Sequence, residues 1–124
     1  MTTPAFNTVA WFEIASDDPD GAQKFFGELF GWSFEKDPEL PMDYRIITYP
    51  GSGEPRGGVF GTGGQLPNHG VFSIVVRDVE ETCAQVERLG GKVLKKAVGG
   101  PSGPDFAYLT DPSDNLFGVY APRP

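Results

Sequence analysis

The chain matches itself. Set against its own sequence 60 residues further on, FEIASDDPDGAQKFFGELFGWSF from Phe12 falls on FSIVVRDVEETCAQVERLGGKVL from Phe72. Phe12 meets Phe72, Ile14 meets Ile74, Asp18 meets Asp78, Leu29 meets Leu89 and Gly31 meets Gly91. The same offset, without a gap, lays GGVFG from Gly57 over FGVYA from Phe117, so Gly58 falls on Gly118 and Val59 on Val119. A match at fixed spacing, with predicted elements in the same order, means one supersecondary unit used twice.

Each unit opens on a strand: in VAWFEIA, Phe12 and Ile14 alternate with Trp11 and Glu13, and in GVFSIVV, Phe72, Ile74 and Val76 alternate with Val71, Ser73 and Val75. A helix follows. Asp18 and Pro19 form an N-cap and first-position pair ahead of an apolar stripe of Ala22, Phe25, Phe26 and Leu29. Asp78 with Glu81 resembles a capping box ahead of Val79, Cys83, Val86 and Leu89. Gly31, and Gly90 or Gly91, stop the helices. Three short strands are predicted after each helix, near 32–36, 43–49 and 57–60, then 92–97, 106–110 and 115–121. The turns DPELP, PGSGEPRG, VGGPSGP and DPSDN separate them. The expected architecture is α+β, a single domain over 1–124 made of βαβββ units at 7–62 and 67–122, with GTGGQLPN as the linker.

At 124 residues the chain can bury a core without staples, and 17 Gly with 12 Pro suit many reversals between short strands. A net charge of -7 argues against a sequence-independent grip on nucleic acid or on an anionic membrane, since both need clustered Lys and Arg. The lone Cys83 makes no internal disulfide, and MTTPAFNTVAW carries neither a basic start nor a long apolar run. Nor does any apolar stretch approach the roughly 20 residues of a bilayer span. A cytoplasmic protein is expected.

The stretches FEIASDDPDGAQKFFGELFGWSFE, RDVEETCAQVERLGGKVL and AYLTDPSDNLFGVY resemble the vicinal oxygen chelate superfamily, which includes glyoxalase I, extradiol dioxygenases and the fosfomycin and bleomycin resistance proteins. The resemblance runs from about Thr8 to Tyr120. It implies curled mixed sheets enclosing a concave ligand site, and commonly a homodimer. In metal-bearing members it implies a divalent ion held by His, Gln or Glu from the first and last strands of the units, donors that suit first-row metals. Carried onto this chain, those positions are Trp11, Val71, Gly58 and Gly118, and none offers a metal donor. Trp11 is expected to fill the space a metal and its ligand would take.

Glu13 shares a strand face with Trp11, which makes it a ligand contact, a partner for Arg45 or Arg56, or a weak candidate for a general base. Phe60 and Tyr120, two residues beyond the paired glycines, would add aromatic walls suited to flat or apolar ligands. His69, the only histidine, lies two residues before Val71 on the same predicted face. Arg56 and Tyr108 complete the candidate ligand-binding set, though Tyr108, like Tyr44 and Tyr49, is a weaker candidate because the pleat of these strands is not fixed by sequence. No phosphate loop or GxSxG elbow is present. The expected function is metal-free and cofactor-free binding of a small organic molecule by a sequestering resistance-type protein. A metal-dependent lyase, isomerase or dioxygenase, and a non-enzymatic protein with a filled cavity, are the alternatives.

Overall fold

The computed structural model describes residues 5–40, 42–100 and 103–122. The turn residues Pro41, Pro101 and Ser102 lie outside the described residues. The elements are β1 (Thr8–Ser16), α1 (Pro19–Phe30), β2 (Ser33–Lys36), β3 (Tyr44–Thr48), β4 (Pro55–Gly61), β5 (His69–Val75), α2 (Val79–Arg88), β6 (Lys92–Ala97), β7 (Asp105–Thr110) and β8 (Leu116–Ala121). This is an α+β order, βαβββ twice, with strand sequences β2-β3-β4-β1 and β5-β8-β7-β6. In each, the first and last strands pair in parallel and the others antiparallel. The two parallel pairs repeat one register: Glu13 lies opposite Gly58 and Ile14 opposite Val59, as Ser73 lies opposite Gly118 and Ile74 opposite Val119.

Two compact units result. One is Trp11–Val71; the other joins the chain up to Ala10 to the stretch from Phe72 onward. The division between these units falls inside β1 and β5.

Helix starts follow the capping chemistry. The Asp18 carboxylate accepts the Gly21 N–H at 3.0 Å, with Pro19 at the first turn, and Asp78 accepts from the Glu81 N–H at 3.0 Å. α1 stops at Gly31, whose φ of 72° is left-handed and cheap only for glycine. The expected apolar stripes are only partly covered: Phe25, Leu29 and Leu89 are exposed. On α1 the half-buried positions after Pro19 are Ala22, Gln23, Phe26 and Gly27, one step round the helix. Phe26 stacks on Trp32 at 5.4 Å and 12°, and Trp32 in turn meets Phe12 and Tyr49. That aromatic cluster takes the place of an aliphatic seam. In the later unit Val79 and Cys83 of α2 pack with Ala107, Leu109 and Val119, an ordinary apolar core.

β3 carries an ion-pair network to α1. Arg45, 7% exposed, holds Asp43 through two nitrogens at 3.0 and 2.9 Å and reaches Gln23 at 3.0 Å and Asp20 at 2.8 Å. Hydrogen bonds from Arg45 hold the Asp43 carboxyl below the usual range, against an opposing push from burial. A carboxyl depressed in the folded state stabilises it above the unfolded value near 3.9 and loses that contribution as pH falls through the folded value. The stability gap between wild type and Asp43→Asn should therefore be widest near neutrality and shrink below about pH 4. Urea unfolding at several pH values checks this; a gap that stays constant into strong acid would contradict it.

Candidate functional site

Strand alternation puts Trp11, Glu13 and Ala15 on one face of β1 and Phe12 with Ile14 on the other. Across the sheet, Glu13 lies opposite Gly58, Gly58 opposite Ile46, and Phe60 opposite Tyr44. Opposed residues share a face, so Trp11, Glu13, Tyr44, Gly58 and Phe60 gather on one side of the Trp11–Val71 unit. Helix α1, with Arg45 beneath it, occupies the other.

A directed chain of hydrogen bonds links the polar members. The Trp11 Nε1–H donates to Tyr44 Oη at 2.8 Å, and Tyr44 Oη donates to Glu13 Oε2 at 2.6 Å. The Tyr44 ring stacks on Phe60 at 6.4 Å and 2°, and it lies directly over Gly58. A Cβ on residue 58 would overlap the Tyr44 ring. Gly58 is glycine because Tyr44 needs its space. Tyr44, rather than Trp11, fills the place over the glycine; Trp11 fixes Tyr44 from the side.

The later unit repeats the backbone with other side chains. Gly118 lies opposite Ser73 and Tyr108, and a Cβ there would come within 2.5 Å of Ser73 Oγ. Tyr120 is paired with Phe106, whose ring meets Tyr108 edge-on at 5.7 Å. Burial pushes the Tyr120 hydroxyl above its usual pKa. The atoms nearest a Cβ at Gly118 belong to Ser73 and the Ala107 carbonyl, where at Gly58 they belong to the Tyr44 ring.

The remaining candidates have more local duties. His69 begins β5, with Nδ1 2.8 Å from the Pro67 carbonyl, and Val71 is buried. Arg56 sits where the β3–β4 register slips by one residue, and such a bulge takes it out of simple alternation with Gly58. Its guanidinium lies 3.2 Å from Glu54, while Arg45 is engaged by Asp43, Asp20 and Gln23. On this face Tyr44 supplies a hydrogen bond to Glu13. Tyr44 is the site residue that sequence reasoning ranked too low. Its register opposite Phe60 was the missing signal, hidden by the bulge that interrupts the β3–β4 hairpin.

The donor set does not fit the divalent ion of metal-bearing relatives. Trp11 and Val71 hold no lone pair for a metal, Gly58 is covered by a phenol ring, and Gly118 faces a serine hydroxyl. Among the described residues, no three His, Cys, Asp or Glu side chains cluster as a metal would require.

Comparison with known proteins agrees with the α+β fold. A family model described as a glyoxalase-like domain matches residues 11–120. The "Putative glyoxylase CFP32" of Mycobacterium tuberculosis is 30% identical over 118 residues, covering 94% of this chain and 45% of that protein. This chain thus spans about half the length of those curated relatives. A glyoxylase-like domain-containing protein of Didymella fabae is 30% identical over 116 residues, covering 90% of this chain and 91% of that one. Among solved structures, methylmalonyl-CoA epimerase of Mycobacterium tuberculosis superposes with a TM-score of 0.66 at 14% identity, covering 99% of this chain and 94% of that one. A variant of the Streptomyces coelicolor epimerase gives 0.67 at 15%, covering 97% and 100%. With its repeated units, their common register and the match over residues 11–120, the chain belongs to the glyoxalase-like family of the vicinal oxygen chelate superfamily.

Proposed function

We propose that this protein binds a small aromatic or apolar organic molecule on the Trp11–Tyr44–Phe60 face without a metal ion, and that binding itself is its role, as in sequestering resistance proteins. The observation that carries the reading is the Tyr44 ring seated on Gly58, with its hydroxyl held between Trp11 and Glu13. Rings give a large contact area and stacking at little entropic cost, and the hydrogen bonds hold Tyr44 in place before a ligand arrives. The half-buried Ile46 adds apolar surface to that face. The same reading includes a homodimer in the cytoplasm; no helix among the described residues is long and apolar enough to cross a membrane.

Glyoxylase, the activity in the curated relatives' names, is the competing reading, and a metal-dependent reaction of that kind needs a set of donors, whereas among the described residues no three His, Cys, Asp or Glu side chains cluster. Elemental mass spectrometry on untagged protein purified without chelators, alongside tryptophan fluorescence titrations with a panel of aromatic compounds, separates the readings. Trace metal and saturable quenching that Trp11→Phe abolishes are expected. About one metal per chain, lost in Glu13→Gln or His69→Ala, would overturn the proposal in favour of a metal-dependent lyase, isomerase or dioxygenase. Absence of quenching across the panel would mean the aromatic residues simply fill a core.

A further inference from the structure

The outward side of α1 breaks a rule that its twin keeps. A helix packed on a sheet turns polar residues to the outside, and α2 does so with Glu81, Gln85 and Arg88, all exposed. At the same 60-residue offset α1 presents Gly21, Phe25 and Glu28. The Phe25 ring thus stands where the twin has Gln85, and it is 59% exposed. Leu29, like its counterpart Leu89, is exposed as well. Phe25 is held firmly: it meets Phe26 edge-on at 5.1 Å, and Phe26 stacks on Trp32, which ties the strip to the aromatic cluster of its own unit. A fixed apolar strip between charged neighbours is the make-up of an association surface.

The neighbouring charges say what covers it. Lys24 and Glu28 flank Phe25 and Leu29, one of each sign and four residues apart, and among the described residues neither joins an ion pair. An acidic partner would be repelled by Glu28 and a basic one by Lys24. A second copy of this chain satisfies both. Two α1 helices crossing antiparallel on a two-fold axis at residue 26 bring Lys24 level with Glu28 of the second copy, and Glu28 level with its Lys24. At about 1.5 Å of rise per residue, Phe25 then falls midway between Phe25 and Leu29 of the second copy, where a ring can interdigitate. A parallel pairing in register would instead set Lys24 against Lys24 and Glu28 against Glu28.

Resting on the homodimer included in the reading above, we infer that two copies of this chain associate through α1, with Phe25 and Leu29 at the centre and the Lys24–Glu28 pairs at the rim. The strip is small beside a standard interface, so the dimer dissociates at micromolar rather than nanomolar concentration.

Sedimentation equilibrium on the intact chain over a range of concentrations tests this. Wild type should be a reversible dimer. Phe25→Gln installs the twin helix's residue at a position already exposed, and should weaken the dimer at least about tenfold, as loss of a central aromatic anchor does. Lys24→Glu sets carboxylates level with each other, and Glu28→Lys does the same with ammonium groups; each should weaken it at least about threefold. An equimolar mixture of these two variants should recover the dimer, because every pair is again of opposite charge. Circular dichroism confirms that the variants are folded. A monomer at every concentration, an assembly larger than two chains, a dimer indifferent to Phe25→Gln, or a mixture no better than its components would each overturn the inference. Quenching of Trp11 by the aromatic panel is read on the same samples. Saturable quenching of a monomer would leave the ligand-binding reading standing without this dimer, and a dimer lost in Phe25→Gln but never quenched would uphold the dimer while that reading falls.

Discussion

Asp43→Ala should lower stability by about 3 kcal/mol, because it strands a buried guanidinium without its two-point partner. Arg45 is 7% exposed, and the groups it would retain are Gln23 and Asp20. Asp20 is 90% exposed and so a poor substitute. The Asp43 side chain is itself one-third exposed, which keeps the expected loss at the lower end for a broken buried pair. For a domain of this size the melting temperature should fall by about 10 °C. The double variant Asp43→Ala with Arg45→Leu should recover most of the loss, since it leaves no charge to be buried. Thermal and urea melts of the three proteins decide the matter. A double variant no better than Asp43→Ala would mean that Arg45 contributes through the packing of its stem rather than through its charge.

Gly57→Ala should cost a comparable amount, about 2–3 kcal/mol. Gly57 is opposite Phe12 in the parallel β1–β4 pair, and a Cβ there would sit 2.5 Å from the Phe12 ring and 2.7 Å from the Phe12 carbonyl oxygen. A ring can swing aside, but a strand carbonyl moves only if the pairing does. Displacing Phe12 also disturbs its contacts with Trp32 at 5.7 Å and Tyr49 at 6.4 Å, so the emission of Trp32 should shift with the loss of stability. Gly70→Ala is the control: its nearest neighbour would be 3.9 Å away, and little change is expected. Equal effects at the two positions would show that strand entropy, rather than the Phe12 overlap, sets the cost.

The parts of the fold that rest on local chemistry could be read from the chain. Asp18, Pro19 and Asp78 start helices because caps act within one turn. The 60-residue offset is confirmed rung by rung, since Glu13 with Gly58 and Ser73 with Gly118 occupy the same place in their parallel pairs. What was less legible depends on long-range register. Tyr44 and Phe60 face each other only because one extra residue is absorbed at Arg56, and nothing in PGSGEPRG announces which residue will bulge. The covered side of α1 was read only in part. Of the stripe Ala22, Phe25, Phe26 and Leu29, Ala22 and Phe26 are half-buried, while Phe25 and Leu29 are exposed. Stacking on Trp32 selects Phe26, and Arg45 reaches Gln23 beside it. At the site, sequence marked the two glycines as places where something comes close, yet it could not say that a tyrosine ring fills one and a serine hydroxyl meets the other.

The halves of this chain also carry separate natural labels. Trp11 and Trp32, its two tryptophans, both belong to the Trp11–Val71 unit, and its one cysteine, Cys83, is buried in the other. Burial raises the thiol pKa, so the thiolate that reacts with alkylating reagents is scarce until α2 lifts from its core. Indole emission therefore watches one copy of the duplicated unit while thiol trapping watches its twin. Whether the two melt together or in turn can be followed in the unaltered protein, with no dye or added reporter.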